Sequence, residues 1–257
     1  MTGNAKKNLN RILILIPAYN EGKNIGRLLD DIENCGITDV ADLLVINDGS
    51  KDATVREVVD RGYAYIDNTS RRGYGSALKA GYKYAYFRGY GQVLQMDADG
   101  QHDVSNIRTL INASRDRDSD GKHWDIIIGS RFLEGSVAYR VSFLKLMAIR
   151  FFSLMIRIAT GSVISDPTSG LQIIRRRAYK YYTLPGRFDD DYPDANILIQ
   201  MLLAGFKVRE IPAVMHERKE GDSMHSGLKP ILYMLKMSVE IPRAMINGRK
   251  RPGRRMR

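Results

Sequence analysis

The chain carries one cysteine, Cys35, among 257 residues. An internal disulfide is therefore excluded, and so is a zinc site built from several thiolates. Long hydrophobic runs are missing as well: no stretch reaches the ~18 uninterrupted apolar residues of a membrane-spanning helix. The opening segment, MTGNAKKNLNRILILIPAYNE, has an apolar run that Pro17 soon breaks, too short for a signal peptide with its cleavage site. No internal repeat at solenoid spacing is present, and no low-complexity segment outside the C-terminal tail. These absences predict a reduced, intracellular chain, neither secreted nor embedded in a membrane.

Acid is absent from one place in particular. The last eleven residues, NGRKRPGRRMR, hold six Arg or Lys and no Asp or Glu, and so supply six of the eleven units of net positive charge. Such a tail attracts polyanions, either nucleic acid or an anionic membrane surface, and a solvated terminus has the same composition. The tail lacks the interleaved aromatics that stack on bases, which argues against a nucleic-acid-binding module. Apolar residues at 44% and charged residues at 27% exclude global disorder.

Residues 11–130 alternate short apolar runs with helical patterns. The runs 11–16, 43–46, 92–96 and 125–128 suit strands buried on both faces of a largely parallel sheet. Helices are predicted over 22–34, 54–61, 75–88 and 104–115. The alternation predicts an α/β fold, an open and mostly parallel sheet with helices on both sides. Ligands of such sheets sit beyond the carboxyl ends of the strands. Further on, the pattern predicts a helix over 141–160, a short strand near 171–174, a helix over 194–204 and a strand over 208–214. A helix over 228–246 precedes the basic tail. Residues 1–227 are read as one domain, and 228–257 as an appended amphipathic helix and tail.

Polar clusters follow four strands: Pro17-Ala18-Tyr19-Asn20-Glu21, Asn47-Asp48-Gly49-Ser50, Asp97-Ala98-Asp99-Gly100-Gln101-His102 and Gly129-Ser130-Arg131-Phe132. Asp97 and Asp99, two apart at a strand end, point to the same side. Two carboxylates there suit a hard divalent cation that keeps waters and takes phosphate oxygens. A solvated turn is the bland alternative.

Together and in this order, these segments resemble family 2 glycosyltransferases of the nucleotide-binding GT-A fold. With Asp166-Pro167-Thr168-Ser169-Gly170 added, the resemblance is to the polyprenyl-phosphate sugar transferases, the dolichol-phosphate mannose synthase group, and it covers most of the chain. It implies an inverting, metal-dependent enzyme that moves a sugar from a nucleotide donor, UDP in preference to GDP, to a polyprenyl phosphate. It further implies Mg²⁺ or Mn²⁺ held by Asp99 with help from Gln101, while Asp97 approaches the ribose or the metal. Pro17, Ala18, Tyr19, Glu21 and Asp48 would line the nucleoside pocket. Glu21 and Asp48 could equally shape a helix start and a turn. Arg72, in Arg71-Arg72-Gly73-Tyr74-Gly75-Ser76, stands in a segment that looks like a phosphate cradle ahead of a helix.

The resemblance places Arg131 on the acceptor phosphate, with Arg140 and Arg218 as further candidates or as surface arginines, since guanidinium matches phosphate in geometry and charge. Asp194 lies near where other members keep a general base, and it could also cap the next helix. A phosphate monoester, with its second pKa near about 6, is already largely a dianion and needs no base. A hydroxyl acceptor on a polysaccharide or lipid-linked glycan, the rival reading, would need one. The polyprenyl tail implies work at the inner face of the membrane. Helices 141–160 and 228–246 are expected to lie in the interface with snorkelling Lys and Arg, or else to be buried in the protein or a homo-oligomer. A small membrane protein is a further expected partner.

Overall fold

A computed structural model of the protein describes residues 9–190 and 193–217. The expected helix over 228–246, the basic tail and Arg218 lie outside the described residues.

The order of elements is β1 (Ile12–Ala18), α1 (Ile25–Asn34), β2 (Ala41–Asn47), α2 (Thr54–Asp60), β3 (Ala64–Asp67), α3 (Tyr74–Arg88), β4 (Gln92–Gln95), α4 (Ser105–Ala113), β5 (Ile126–Ser130), β6 (Val137–Ala138), α5 (Phe143–Thr160), β7 (Gln172–Arg175), α6 (Arg176–Tyr182), α7 (Ala195–Leu203), β8 (Val208–Pro212) and β9 (Val214–Met215). Seven strands form one sheet in the order β3-β2-β1-β4-β7-β5-β8. All run parallel except β7, which is antiparallel to both β4 and β5. This is the open, mostly parallel α/β sheet that the sequence predicts.

Every residue of β1 is buried, and its side chains alternate between two cores. Leu13 and Leu15 join the cluster under α3, α5, α6 and α7, whereas Ile12, Ile14 and Ile16 join the one under α1 and α4. A strand covered on both faces has no solvent side, which explains why RILILI reads as a continuous apolar run.

The topology gathers the polar segments. The chain leaves β1 for β2 on one side and returns to β4 on the other, so the sheet changes winding direction beside β1, where open α/β sheets bind ligands. The carboxyl ends of β1, β2, β4 and β5 share one edge. Because β7 is reversed, the segment before it, Asp166 to Gly170, reaches that same edge.

Some elements differ from the sequence expectations or decide between them. β3 has no apolar run because it is the sheet's edge strand and three of its four residues are exposed. The expected strand over 208–214 divides: β8 ends at Pro212, which has no N–H for a ladder, and β9 pairs instead with β6. The helix expected over 141–160 forms as α5, but one face is not interfacial. Ala148, Ile149, Phe152 and Ile156 are buried in the core, beside α7. Its other face exposes Phe143, Met147, Leu154 and Ile158. Among the described residues, no helix is long and apolar enough to cross a membrane.

Candidate active site

The loops after β1 and β2 are stitched together. Asn20 sits in the left-handed region (φ 54°), where its N–H reaches Ser50 Oγ at 2.9 Å and its side-chain oxygen accepts the Lys51 N–H at 2.9 Å. The Glu21 N–H donates to Thr54 Oγ1 and the Gly22 N–H to Asp52. Glu21 itself opens α1: its carbonyl accepts the Asn24 and Ile25 N–H groups, and its carboxylate accepts Asn24 Nδ2 at 2.8 Å. Pro17 and Ala18 close β1 as buried residues, and the Ala18 carbonyl accepts the Asp48 N–H. Tyr19 stacks under the Arg71 guanidinium, 4.3 Å from ring centroid to Cζ.

Asp48 is buried and holds the next loop in place. Its Oδ1 accepts the Arg72 N–H at 2.8 Å and its Oδ2 the Gly73 N–H at 2.9 Å, with Asn68 Nδ2 at 3.3 Å from Oδ1. The Ser76 N–H goes to the Asp190 carbonyl. Three amides of the 71–76 segment, those of Arg72, Gly73 and Ser76, thus serve a buried carboxylate and a carbonyl. The Arg72 side chain is exposed. A carboxylate offers about four acceptor positions, so Asp48 retains one, on Oδ2.

The turn after β4 carries Asp97, Asp99 and Gln101. Ala98 between them is buried, whereas both aspartates are partly exposed, as the two-residue period requires. The Asp97 N–H donates to His102 Nδ1 at 3.2 Å, and the Asp99 carboxylate accepts the Gln101 N–H at 3.0 Å. Gln101 donates from Nε2 towards the His216 carbonyl at 3.5 Å and hydrogen-bonds Tyr139, which leaves its amide oxygen as the group for a cation. Among the described residues no group of three or more His, Cys, Asp or Glu could hold a metal unaided. Two carboxylates and an amide oxygen are hard donors, and such a set fits a Mg²⁺-like ion that completes its shell with water and phosphate oxygens. A cavity of about 580 Å³ opens on the α1 side of this turn, lined by Arg27, Asp31, His102 and His216, and includes neither Asp97 nor Asp99 in its walls.

Arg131 directly follows β5 and is buried. It pairs with Asp166 through Nε and Nη2, at 2.7 and 2.6 Å, and gives Nη2 to Thr168 Oγ1 at 2.9 Å. Glu210 on β8 holds the Asp166 loop by accepting the Ser165 and Asp166 N–H groups. The Tyr139 hydroxyl stands between Arg131, Gln101 and Lys145, with Lys145 Nζ at 3.5 Å. Burial works against ionisation of Tyr139, but Lys145, Arg131 and hydrogen bonds from Gln101 and Lys145 outweigh it and hold the phenol below its ordinary value. The Tyr139 oxygen thus sits against two cationic side chains and Gln101 of the Asp97-to-Gln101 turn.

Asp194 is the N-cap residue of α7, yet its side chain makes no capping hydrogen bond; its carbonyl accepts the Ile197 and Leu198 N–H groups. Its charge bears on Tyr74, whose hydroxyl donates to Asp97, so Asp194 belongs to the neighbourhood of the turn. Arg140 is exposed.

Residues 13–183 match the sequence model of glycosyl transferase family 2, more than half of the chain. The protein belongs to glycosyltransferase family 2. Among curated relatives of this family 2 glycosyltransferase are the undecaprenyl-phosphate mannosyltransferase of Micrococcus luteus, 29% identical, with 84% of this chain aligned to 88% of that one, and the polyprenol monophosphomannose synthase of Mycolicibacterium smegmatis, also 29% identical, with 84% and 82% covered. Among solved structures it resembles glucosyl-3-phosphoglycerate synthase from Mycobacterium tuberculosis in complex with Mn²⁺ and UDP-glucose, with a TM-score of 0.66, 18% identity, and 91% and 79% coverage. At that identity the likeness establishes the GT-A fold.

Four functional candidates of this glycosyltransferase escaped sequence reasoning: Tyr74, Tyr139, Lys145 and Asp166 in its role as partner of Arg131. Lys145 looked like a snorkelling residue because its helix is apolar, and nothing in the spacing of Arg131 and Asp166 signals a pair.

Proposed function

We propose that this family 2 glycosyltransferase transfers a hexose from a nucleotide sugar to a polyprenyl phosphate at the membrane surface. The observation that carries the reading is the cluster of Arg131, Lys145 and Gln101 around the Tyr139 oxygen, next to the Asp97–Asp99 turn. A phosphate monoester presents oxygens of higher charge than a phenol, and guanidinium and ammonium groups bind them by charge-assisted hydrogen bonds. Both relatives above are named for polyprenyl-phosphate mannosyl transfer, which supports the same acceptor class here.

In this reading the base and ribose rest between Tyr19, Glu21 and Asp48, with Pro17 and Ala18 forming the floor, and the free acceptor position of Asp48 takes an N–H of the base. UDP fits that role through its imide N–H. Asp99, Gln101 and Asp97 would hold Mg²⁺ or Mn²⁺, which when bound neutralises the diphosphate as it departs. Arg131 is fixed by Asp166, so its guanidinium meets the acceptor in one orientation, and Lys145 supplies a second charge. Arg140, and Arg218 outside the described residues, are further candidates for the acceptor phosphate. The acceptor dianion attacks the anomeric carbon from the face opposite the diphosphate, with inversion, and no base is required. Asp194 becomes essential only if the acceptor is a glycan hydroxyl, which its position near Tyr74 and Asp97 keeps as the second reading.

The exposed apolar face of α5 supports docking at the inner membrane face, where the polyprenyl phosphate headgroup lies; a homo-oligomer or a small membrane protein could share that attachment. The deciding experiment incubates the protein with UDP- and GDP-sugars, Mn²⁺ and a short polyprenyl phosphate. A glycolipid product is expected, and transfer only to free glycan hydroxyls would overturn the acceptor assignment.

A further inference from the structure

The Asp97 carboxylate is held from two sides by groups that play no part in the reaction as described above. On one side is a buried line of hydrogen bonds. The Tyr82 hydroxyl donates to Gln95 Oε1 at 2.6 Å, Gln95 Nε2 donates to the Tyr74 hydroxyl at 2.9 Å, and Tyr74 donates to Asp97 Oδ1 at 2.8 Å. The sequence makes this line possible. Tyr74 and Tyr82 lie eight residues apart on α3, close to two helical turns and one face. Gln95 and Asp97 lie two residues apart, on one side of the β4 extension. Tyr82 and Gln95 are 1% and 4% exposed, so water does not compete for these groups. Each donor points towards Asp97, and in such chains successive bonds polarise one another.

On the other side is Gly170. A Cβ at that position would lie 2.4 Å from Asp97 Oδ2, well inside contact distance. The glycine allows the carboxylate to sit against the main chain, and Tyr74 keeps it there. Neither contact is a structural necessity of the strand: β4 ends at Gln95, and a Phe at 74 would leave the ring packing in place.

We propose that Tyr74 is a positioning residue: its hydroxyl, opposed by the bare Cα of Gly170, fixes the orientation of the Asp97 carboxylate towards the donor nucleotide and its cation. The inference rests on the assignment of Asp97 to the nucleotide site under Proposed function.

The test uses the full chain and titrates UDP and GDP, each with and without MnCl₂, into wild type, Tyr74→Phe, Tyr82→Phe, Gly170→Ala and Asp97→Asn. Loss of one hydrogen bond to a charged group predicts roughly a ten- to hundredfold weaker Mn²⁺-dependent nucleotide affinity for Tyr74→Phe. The metal-free affinity and the acceptor KM should be unchanged and kcat lowered, a split that general loss of stability would not produce. Tyr82→Phe, two links away, should show a smaller loss. Gly170→Ala displaces the same carboxylate from the opposite side and should reproduce the Tyr74→Phe loss, so it decides the matter if Tyr74→Phe does not fold. Wild-type Mn²⁺-dependent affinity and kcat in Gly170→Ala and in any Tyr74→Phe that folds, alongside a defective Asp97→Asn, overturn the positioning role alone. An unaffected Asp97→Asn overturns the site assignment as well.

Discussion

Arg131 and Asp166 meet in a two-pronged ion pair with 6% of the arginine side chain and none of the aspartate exposed. The pair joins the end of β5 to the loop before β7, two segments 35 residues apart. Removing one member of a buried pair costs about 3–5 kcal/mol, because the survivor stays desolvated without a counter-charge. Asp166→Ala should therefore lose stability on that scale in urea unfolding. A loss below about 1 kcal/mol would mean that Arg131 finds another partner or reaches water.

That pairing alters how the acceptor grip must be tested. Arg131→Ala should weaken the acceptor step by about 1.5–3 kcal/mol, but it also strands Asp166 and lowers stability. Lys145 carries no such buried partner, so Lys145→Gln is the cleaner probe. Its acceptor kcat/KM should fall about tenfold, which corresponds to about 1.4 kcal/mol, with nucleotide affinity unchanged. Equal losses in nucleotide and acceptor binding would place Lys145 on the donor.

The partly exposed Asp99 carboxylate accepts the Gln101 N–H within its own turn. Asp99→Ala should abolish transfer and Mn²⁺-dependent donor binding, because it removes a hard oxygen donor from the proposed cation site. Near-normal turnover of this variant at saturating Mn²⁺ would remove the metal assignment.

The sheet was legible in the sequence because its central strands are covered on both faces and read as apolar runs. β3 was not, since an edge strand needs no such run, and neither was α6, whose Arg176 and Arg177 hide a helix that buries Ala178, Tyr179, Tyr181 and Tyr182. The same limit applied at the site. Asp97, Asp99, Arg131 and Asp48 announce themselves as polar residues just past buried strands. What they touch did not: Asp48 faces two amides of the next loop, Arg131 faces Asp166, and Asp97 faces Tyr74. Those contacts depend on β7 running backwards and on where α3 begins, which are properties of the assembled sheet rather than of any local stretch.

A pH-dependent contribution to stability is expected at Asp42. Its carboxylate accepts Arg11 Nε at 2.9 Å and the Tyr90 hydroxyl at 2.8 Å, fastening the start of β2 to the residues before β1 and β4. Burial opposes its charged form, but the hydrogen bonds from Arg11 and Tyr90 and the charge of Arg11 outweigh this and hold the carboxyl below its ordinary value. A folded-state pKa below the unfolded value of about 3.9 gives stability that is present in full above that value and is lost as pH falls through the folded one. The stability gap between wild type and Asp42→Asn should thus be constant from pH 7 to 5 and shrink below about pH 4. A gap that grows on acidification would reverse the sign of the linkage.

The face that α5 turns outward makes the membrane proposal testable residue by residue. Phe143, Met147, Leu154 and Ile158 are 78%, 50%, 52% and 69% exposed. They recur at intervals of four, seven and four, which keeps them on one stripe of a helix, and the exposed Arg150 and Arg157 lie on that stripe. An interfacial helix needs this combination: apolar side chains enter the acyl boundary while long basic side chains reach the headgroups. The buried face, with Ala148, Ile149, Phe152 and Ile156, packs in the core and so fixes how the stripe is presented. Replacing Leu154 and Ile158 by Glu removes two apolar insertions, each worth about 1.5–3 kcal/mol when fully buried, and adds repulsion from anionic lipid. Even with partial insertion, the double variant should bind phosphatidylglycerol-containing vesicles at least tenfold more weakly in co-sedimentation, with its unfolding transition unchanged. Unaltered binding by that variant would assign membrane attachment to residues outside α5, and removal of the basic tail would then be the decisive comparison.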